Sequence, residues 1–388
     1  MADIVILSTA DWDHPLWTNK QHVALALRAE GHRVLYIESL GLRASQSTGK
    51  DFRRIVKRLG RGLRPPKRIR SGLWVWSPLV LPGGAHGVPL FVNRFSLSCG
   101  LWFALRSIKF FHPWLWTYNP LTARYLSLKE FSLQIYHAVD ALQEQPCMPR
   151  DLIEVEEHRL CALVDQVFVT SPQLERKLRP YSKHIRFDPN VADQSHFAQA
   201  MTLPPSAIPS DLSKIPAPRI GFMGAISSYK LDFALIISVA QRHPDWSFVF
   251  IGPIGEGEPH TDIALLERVA NVHLIGTRPY AQLPAYCSGF DCGWLPLQNN
   301  PYTQAMFPMK FFEYLGAGLP VVATSIDALK QFSSAAVLCS GDPQSFDEGL
   351  QRCLAGQGPS LSERLALAAE HTYTSRTRRM LSTLESRQ

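Results

Sequence analysis

The stretch Phe307-Pro-Met-Lys-Phe-Phe-Glu-Tyr-Leu-Gly-Ala-Gly-Leu-Pro-Val-Val-Ala-Thr324 reads as a loop, a helix, a stop and a buried strand. Pro308 suits a first helical position, where its missing N–H would be unpaired anyway. Gly318 suits the left-handed residue that ends a helix, and Pro320 stops it continuing. Leu319 to Thr324 then reads as a parallel strand buried on both faces. Lys310 and Glu313 stand one turn apart and share a face. A helix N-terminus offers N–H groups and partial positive charge to an anion, and a lysine adds a point charge. A carboxylate one turn further in accepts hydrogen bonds from vicinal hydroxyls. The pair has two readings: a grip on a nucleotide diphosphate and its ribose, or a surface ion pair on an ordinary helix.

Outward from this stretch, strands and helices alternate in both directions. Ile4 to Thr9 is a strand pattern, Lys20 to Glu30 an amphipathic helix closed by Gly31, and Arg33 to Glu38 a second strand. That is a βαβ unit and the sign of a parallel sheet. Strands are expected at Trp74–Val80, Leu115–Tyr118, Leu133–Asp140, Gln166–Ser171 and Lys183–Phe187. Leu203 to Pro218 holds five prolines and little periodicity, which predicts a linker. The alternation restarts at Arg219 and runs through the opening stretch to helices at the C-terminus. With 388 residues, two domains are expected. The predicted bounds are a first domain over 1–202, the linker over 203–218, a second domain over 219–370 and a C-terminal helix over 371–388.

Composition narrows the class. Apolar content of 46% and charge of 19% are those of a globular chain. No apolar run reaches eighteen residues, so no membrane span is expected. The start lacks a basic region and enters a strand pattern at once, unlike a signal peptide. Seven scattered cysteines, odd in number and without zinc spacing, read as reduced thiols of a cytosolic protein.

Charge is uneven. Lys50 to Arg70 holds ten basic residues against Asp51, which exceeds the net +7 of the whole chain. Arg53, Arg54, Lys57 and Arg58 lie on a possible basic helix over Phe52–Leu63. The patch suits anionic lipid headgroups; a solvated loop and a nucleic-acid patch are the alternatives, and no nucleic-acid-binding motif accompanies it. Asn93 to Phe111 reads as a helix. Its aromatics (Phe95, Trp102, Phe103, Phe110 and Phe111) are expected in the core, with interfacial membrane contact as the alternative.

The order of elements resembles the GT-B glycosyltransferases, most closely the family 4-like (group 1) enzymes of bacterial polysaccharide and teichuronic-acid-type assembly. The resemblance covers nearly the whole chain. It rests on Gly221-Phe-Met-Gly-Ala-Ile-Ser-Ser-Tyr-Lys230, Phe248-Val-Phe-Ile-Gly-Pro253, Val272-His-Leu-Ile-Gly-Thr-Arg-Pro-Tyr280, Leu283-Pro-Ala-Tyr-Cys-Ser-Gly-Phe-Asp291 and Pro308 to Thr324. Val164 to Ser171 and the Asp188-Pro-Asn190 connection add to it. The fold implied is α/β: two Rossmann-like, doubly wound domains facing a cleft, with a C-terminal helix crossing back to the first.

The resemblance implies acceptor binding in the first domain and donor binding in the second. The donor would be a UDP- or GDP-linked sugar, with no cofactor and no metal. Glu313 matches the later glutamate of the family's pair, which holds the donor ribose. Lys230 falls at the phosphate-binding lysine, Lys310 at a lysine of related enzymes, and Arg278 and Tyr280 in the loop that meets the base. Met309 completes the donor set. The sequence departs from the pattern at Ala305, where the earlier glutamate would stand, at Ala225, where an arginine precedes the phosphate lysine, and at Pro-Asn-Val-Ala-Asp in place of Pro-Asn-Gly-Val-Asp.

A retaining transfer needs no strong base, because the leaving phosphate takes the proton. An inverting one needs a carboxylate or histidine at the acceptor. Asp140, His137 and Asp13 are the candidates, with His14 beside Asp13. Their structural alternatives are a helix cap, a satisfied core histidine and a turn residue. Asp11-Trp-Asp13 spells the metal-binding DxD of GT-A enzymes, but it follows the first strand, too early for that fold. The implied activity is sugar transfer to a lipid-linked or glycan acceptor at the cytoplasmic face of the plasma membrane. A catalytically silent GT-B assembly protein and a GT-B epimerase or phosphorylase are the alternatives.

Overall fold

The computed structural model describes residues 1–14, 17–40, 64–81 and 87–385. The basic helix expected over Phe52–Leu63, with Arg53, Arg54, Lys57 and Arg58, lies outside the described residues. The chain forms two compact units: Met1–Asp188 with Thr377–Gln388, and Pro189–Arg376.

The first unit is built on an eight-stranded sheet in the order β3-β4-β2-β1-β5-β6-β7-β8. Its strands are β1 (Asp3–Leu7), β2 (Arg33–Ile37), β3 (Lys67–Arg70), β4 (Leu73–Trp76), β5 (Trp114–Thr117), β6 (Leu133–Ala138), β7 (Gln166–Val169) and β8 (Ile185–Phe187). All neighbours are parallel except β3, which pairs antiparallel to β4 at the edge. Ile4 to Leu7, Val34 to Ile37 and Val167 to Val169 are fully buried, as continuous apolar runs in a sheet covered on both faces require. Helices α1 (Asn19–Ala29), α2 (Gly87–Ser107), α3 (Arg150–Leu163) and α4 (Pro172–Leu178) connect them.

Helix α2 departs from expectation twice. Phe95, Trp102, Phe103 and Phe111 are exposed, and only Phe110 of the five aromatics is buried. The residues that pack inward are Leu97, Leu101 and Ala104. The helix is also long and apolar enough to cross a membrane by length and composition. The sequence conceals this because Asn93, Arg94, Ser96 and Ser98 interrupt the apolar run without lowering its mean hydropathy far.

The second unit carries a fully parallel six-stranded sheet in the order β11-β10-β9-β12-β13-β14. The strands are β9 (Arg219–Met223), β10 (Ser247–Ile251), β11 (Val272–Gly276), β12 (Cys292–Leu295), β13 (Val321–Thr324) and β14 (Val337–Cys339). Winding proceeds outward from β9 in one direction and from β12 in the other. Their shared edge is the switch point, where an open α/β sheet leaves a crevice beyond its strand ends. Helices α5 (Phe233–Arg242), α6 (Lys310–Gly316), α7 (Pro343–Leu354) and α8 (Leu361–Glu370) belong here, and α9 (Tyr373–Glu385) follows.

The chain passes between units at Asp188 and Pro189, upstream of the expected linker at 203–218. That segment instead packs into the second unit's core through Leu212 and Ile215, and Phe197 and Ala200 just before it do the same. The prolines there shape short turns. The C-terminal helix spans Tyr373–Glu385, and its residues from Thr377 onward group with the first unit. Within that unit Arg378 pairs with Glu30 at 2.9 Å.

Candidate functional site

One glycine, Gly293, lets α6 sit directly on the sheet, and its neighbour Gly221 makes room for Phe290. Gly221 of β9 and Gly293 of β12 are register partners. A Cβ on Gly293 would lie 2.7 Å from the Tyr314 ring, and one on Gly221 would lie 2.2 Å from Phe290. Tyr314 therefore lies flat over β12, and its hydroxyl accepts a hydrogen bond from the Met223 N–H at 2.7 Å. That bond ties α6 to the end of β9 beside the switch point. Gly318, at φ 79°, ends the helix as expected: its N–H reaches Leu315 O and the Leu319 N–H reaches Tyr314 O, both at 3.0 Å.

The start of α6 differs from expectation. The N–H groups of Phe311, Phe312 and Glu313 are bonded to the carbonyls of Pro308 and Met309 at 3.1 to 3.2 Å. They close a tight first turn before the helix, so these three N–H groups are engaged within the turn. The polar side chains remain. Glu313 is buried, and its Oε2 has no hydrogen-bond partner among the described residues. Lys310 Nζ stands 3.8 Å away, beyond hydrogen-bond reach. Burial pushes the Glu313 carboxyl above the ordinary range; Lys310 and His196 pull it back, and Asp193 pushes it further up. An acceptor left open in this way is able to take a donor.

The loops at the strand ends surround this carboxylate. After β9, Gly224 takes φ 152°, and a Cβ there would lie 3.4 Å from Lys310 Cε. The loop from Gly224 to Lys230 is then pinned from two sides. Glu258 accepts from the N–H groups of Ser228 (2.9 Å) and Tyr229 (3.3 Å) and from the hydroxyls of Ser228 (2.7 Å) and Thr261 (2.8 Å). Partial burial pushes the Glu258 carboxyl up, but these hydrogen bonds outweigh it and hold the group below the ordinary range. From the other side, Asn300 Nδ2 donates to Tyr229 O at 2.8 Å and the Gln298 N–H donates to Lys230 O at 2.9 Å. Lys230, with its ammonium 5.2 Å from the Tyr229 ring centre, is thereby fixed between the ends of β9 and β12.

Arg278 does not lie as the resemblance implied. Its guanidinium pairs with Asp211 (Nε to Oδ2, 3.2 Å) and bonds the Tyr286 hydroxyl at 2.6 Å. Asp211 comes from the segment read as a linker, so in this structure the side chain is engaged within the second unit. Tyr280 stacks on His196, with ring centres 4.5 Å apart, and Tyr280 O lies 3.0 Å from His196 Nε2. Met309 Sδ is 3.5 Å from the Tyr373 hydroxyl. Ala305 is buried at the end of a short helix, Pro301–Ala305.

His196 is the site residue that sequence reading missed. The signal was the Asp188-Pro-Asn190 connection. Asn190 Nδ2 donates to Phe307 O at 2.7 Å, which holds the residues that follow beside the loop into α6.

In the first unit the candidates separate. His137 is fully buried in β6, where Nδ1 accepts from Trp116 Nε1 at 3.3 Å and the rings of Tyr118 and Phe168 enclose it. This packing is that of a core histidine, with the Trp116 indole on one ring nitrogen. Asp140 is half-buried at the strand's C-terminal end, and Asp13 is exposed in the loop after β1. That loop is anchored by Glu38, which accepts from the Trp12 N–H at 2.9 Å.

Comparison with known proteins agrees with this architecture. Residues 217–356 match the family described as glycosyl transferases group 1. TuaH of Bacillus subtilis (strain 168), named for teichuronic acid biosynthesis as a glycosyltransferase, is 25% identical over 91% of this chain and 89% of its own length. Sucrose-phosphate synthase from Thermosynechococcus elongatus shares the fold over 100% of this chain and 99% of its own, with a TM-score of 0.71 at 15% identity. HepE of Anabaena, solved with UDP-glucose, covers 100% of both chains, with a TM-score of 0.68 at 14% identity. Residues 217–356 thus match a group 1 glycosyltransferase domain, within a chain that shares the GT-B fold from end to end and is similar over most of its length to a glycosyltransferase.

Proposed function

We propose that this glycosyltransferase moves a sugar, with retention, from a UDP- or GDP-linked donor to a lipid-linked or glycan acceptor in cell-surface polysaccharide synthesis. The observation that carries the donor side is the buried Oε2 of Glu313, which faces Lys310 at 3.8 Å and receives no hydrogen bond among the described residues. Ribose hydroxyls would satisfy that carboxylate, and the two lysines, Lys230 and Lys310, would neutralise the leaving diphosphate. Tyr280 and Met309 border the same pocket of loops. The complex of HepE with UDP-glucose supports a nucleotide-sugar donor, and the likeness to TuaH supports a surface-polysaccharide role.

In this reading the diphosphate accepts the acceptor's proton, and no cofactor or metal enters. Asp140 and Asp13 are the acceptor-side carboxylates. The enzyme works at the cytoplasmic face of the plasma membrane, held there in part by Arg53, Arg54, Lys57 and Arg58. Ala305 in place of a glutamate favours a second reading, a silent assembly protein. Release of UDP or GDP from a panel of nucleotide sugars, with and without bacterial membranes as acceptor, separates the two. Sugar transfer that needs Glu313 and Lys310 supports the enzyme reading. Absence of release from every donor overturns it.

A further inference from the structure

Helix α2 is apolar all round. Its inner face, Asn93, Leu97, Leu101 and Ala104, is buried, and Asn93 exchanges two hydrogen bonds with Leu81 at 2.6 and 3.0 Å. Its outer face carries Val88, Phe91, Phe95, Trp102 and Phe103 at helical spacing, each more than half exposed. An all-round apolar helix is ordinarily enclosed by protein or lipid, and a stripe of large exposed aromatics marks an interaction surface.

Charge selects the occupant. From residue 52 to residue 129 the chain holds fourteen Lys and Arg and no Asp or Glu. Arg94 and Arg106 are exposed on α2, and the Arg106 guanidinium lies 4.8 Å from the Trp102 ring centre. Lys67, Arg68 and Arg70 are exposed on edge strand β3. β3 pairs with β4, whose Trp76 lies against Gly100 of α2. A two-fold contact between copies would set these cations against themselves, with no acid on α2 or β3 to answer them. An anionic lipid surface matches both features: headgroups meet the cations and the aromatic rings enter the acyl boundary.

We propose that the outer face of α2 is a lipid-contact surface on which the first unit lies, with the helix in the plane of an anionic membrane. The helix lies on the bilayer rather than across it, because Leu97 and Leu101 belong to the protein core. The inference rests on the membrane part of the function proposed above and is independent of donor chemistry.

The test is flotation of the full chain with phosphatidylcholine vesicles, alone and mixed with phosphatidylglycerol. The parent is expected to float with the mixed vesicles. The Phe91→Ser, Phe95→Ser, Trp102→Ser variant, changed only on an exposed face, should partition roughly tenfold less or worse while keeping the parent's circular dichroism and nucleotide binding. Quenching by brominated lipid, present in the parent, should drop in Trp102→Phe. Equal flotation of parent and triple variant overturns the inference. If the Arg53→Gln, Arg54→Gln, Lys57→Gln, Arg58→Gln variant loses flotation while the aromatic triple variant keeps it, the peripheral-membrane reading survives and the inserted face does not. No flotation of the parent overturns both. Dimerisation without lipid, abolished in the triple variant, gives the stripe to a second copy and also overturns it.

Discussion

The Tyr314 hydroxyl accepts the Met223 N–H at 2.7 Å, so one side chain of α6 fixes the end of β9. Tyr314→Phe keeps the ring and leaves that buried N–H unpaired. The expected cost is about 1–2 kcal/mol, read as a lower urea midpoint with an unchanged slope. A variant as stable as the parent would mean that the bond does not position α6.

The flat seat of α6 depends on the missing Cβ at Gly293. Gly293→Ala must displace the Tyr314 ring, since the added carbon would lie 2.7 Å from it. Overpacking of this kind costs about 1–3 kcal/mol. The lost stability should be accompanied by weaker nucleotide binding, because Glu313 precedes the displaced residue. Thermal melts and a nucleotide titration on the same variant check both.

These two contacts also mark what the sequence made legible. The Gly318 stop, the buried strand Val321–Thr324 and the alternation of both sheets follow from local rules: left-handed glycine, continuous apolar runs and helical spacing. The partnership of Lys310 with Glu313 was readable from their spacing, and the structure adds that the carboxylate is buried and lacks a donor. What could not be read was settled by tertiary neighbours. His137 ends in the core because Trp116, one strand away, supplies its partner. Arg278 turns to Asp211 because residues 203–218 fold onto the second sheet rather than hang free. The aromatics of α2 face outward because Leu97 and Leu101, not the rings, fit the sheet.

Glu157 offers a pH test in the first unit. It is fully buried, with the Tyr136 hydroxyl donating to Oε1 at 2.6 Å. Burial pushes its carboxyl up, and Tyr136 and Lys177 offset this only in part. A folded pKa above the unfolded value favours the neutral form. The contribution is complete below the ordinary carboxylate range and is lost as pH rises through the raised folded value. Glu157→Gln should remove that decline and raise the melting temperature at neutral pH by roughly 2 °C. A lower melting temperature at neutral pH would show that the charged form is the stabilising one.

Arg278 separates a structural arginine from a ligand contact. Its ion pair with Asp211 is partly exposed, so Arg278→Ala should cost no more than about 1 kcal/mol. Because its guanidinium is engaged by Asp211 and Tyr286, nucleotide affinity should change less than threefold by calorimetry. A large loss of affinity with normal stability would return Arg278 to the donor site.

The most direct measurement is calorimetric titration of the parent and of Glu313→Gln with UDP, GDP and ADP and their sugar conjugates. The glutamine keeps the shape of the buried carboxyl and removes its charge, so folding should be preserved. The expected result is binding of one base by the parent, weakened roughly tenfold or more in the variant, for the loss of charged hydrogen bonds to a ribose. Equal affinity in parent and variant would contradict the assignment of Glu313 as the group that holds the donor.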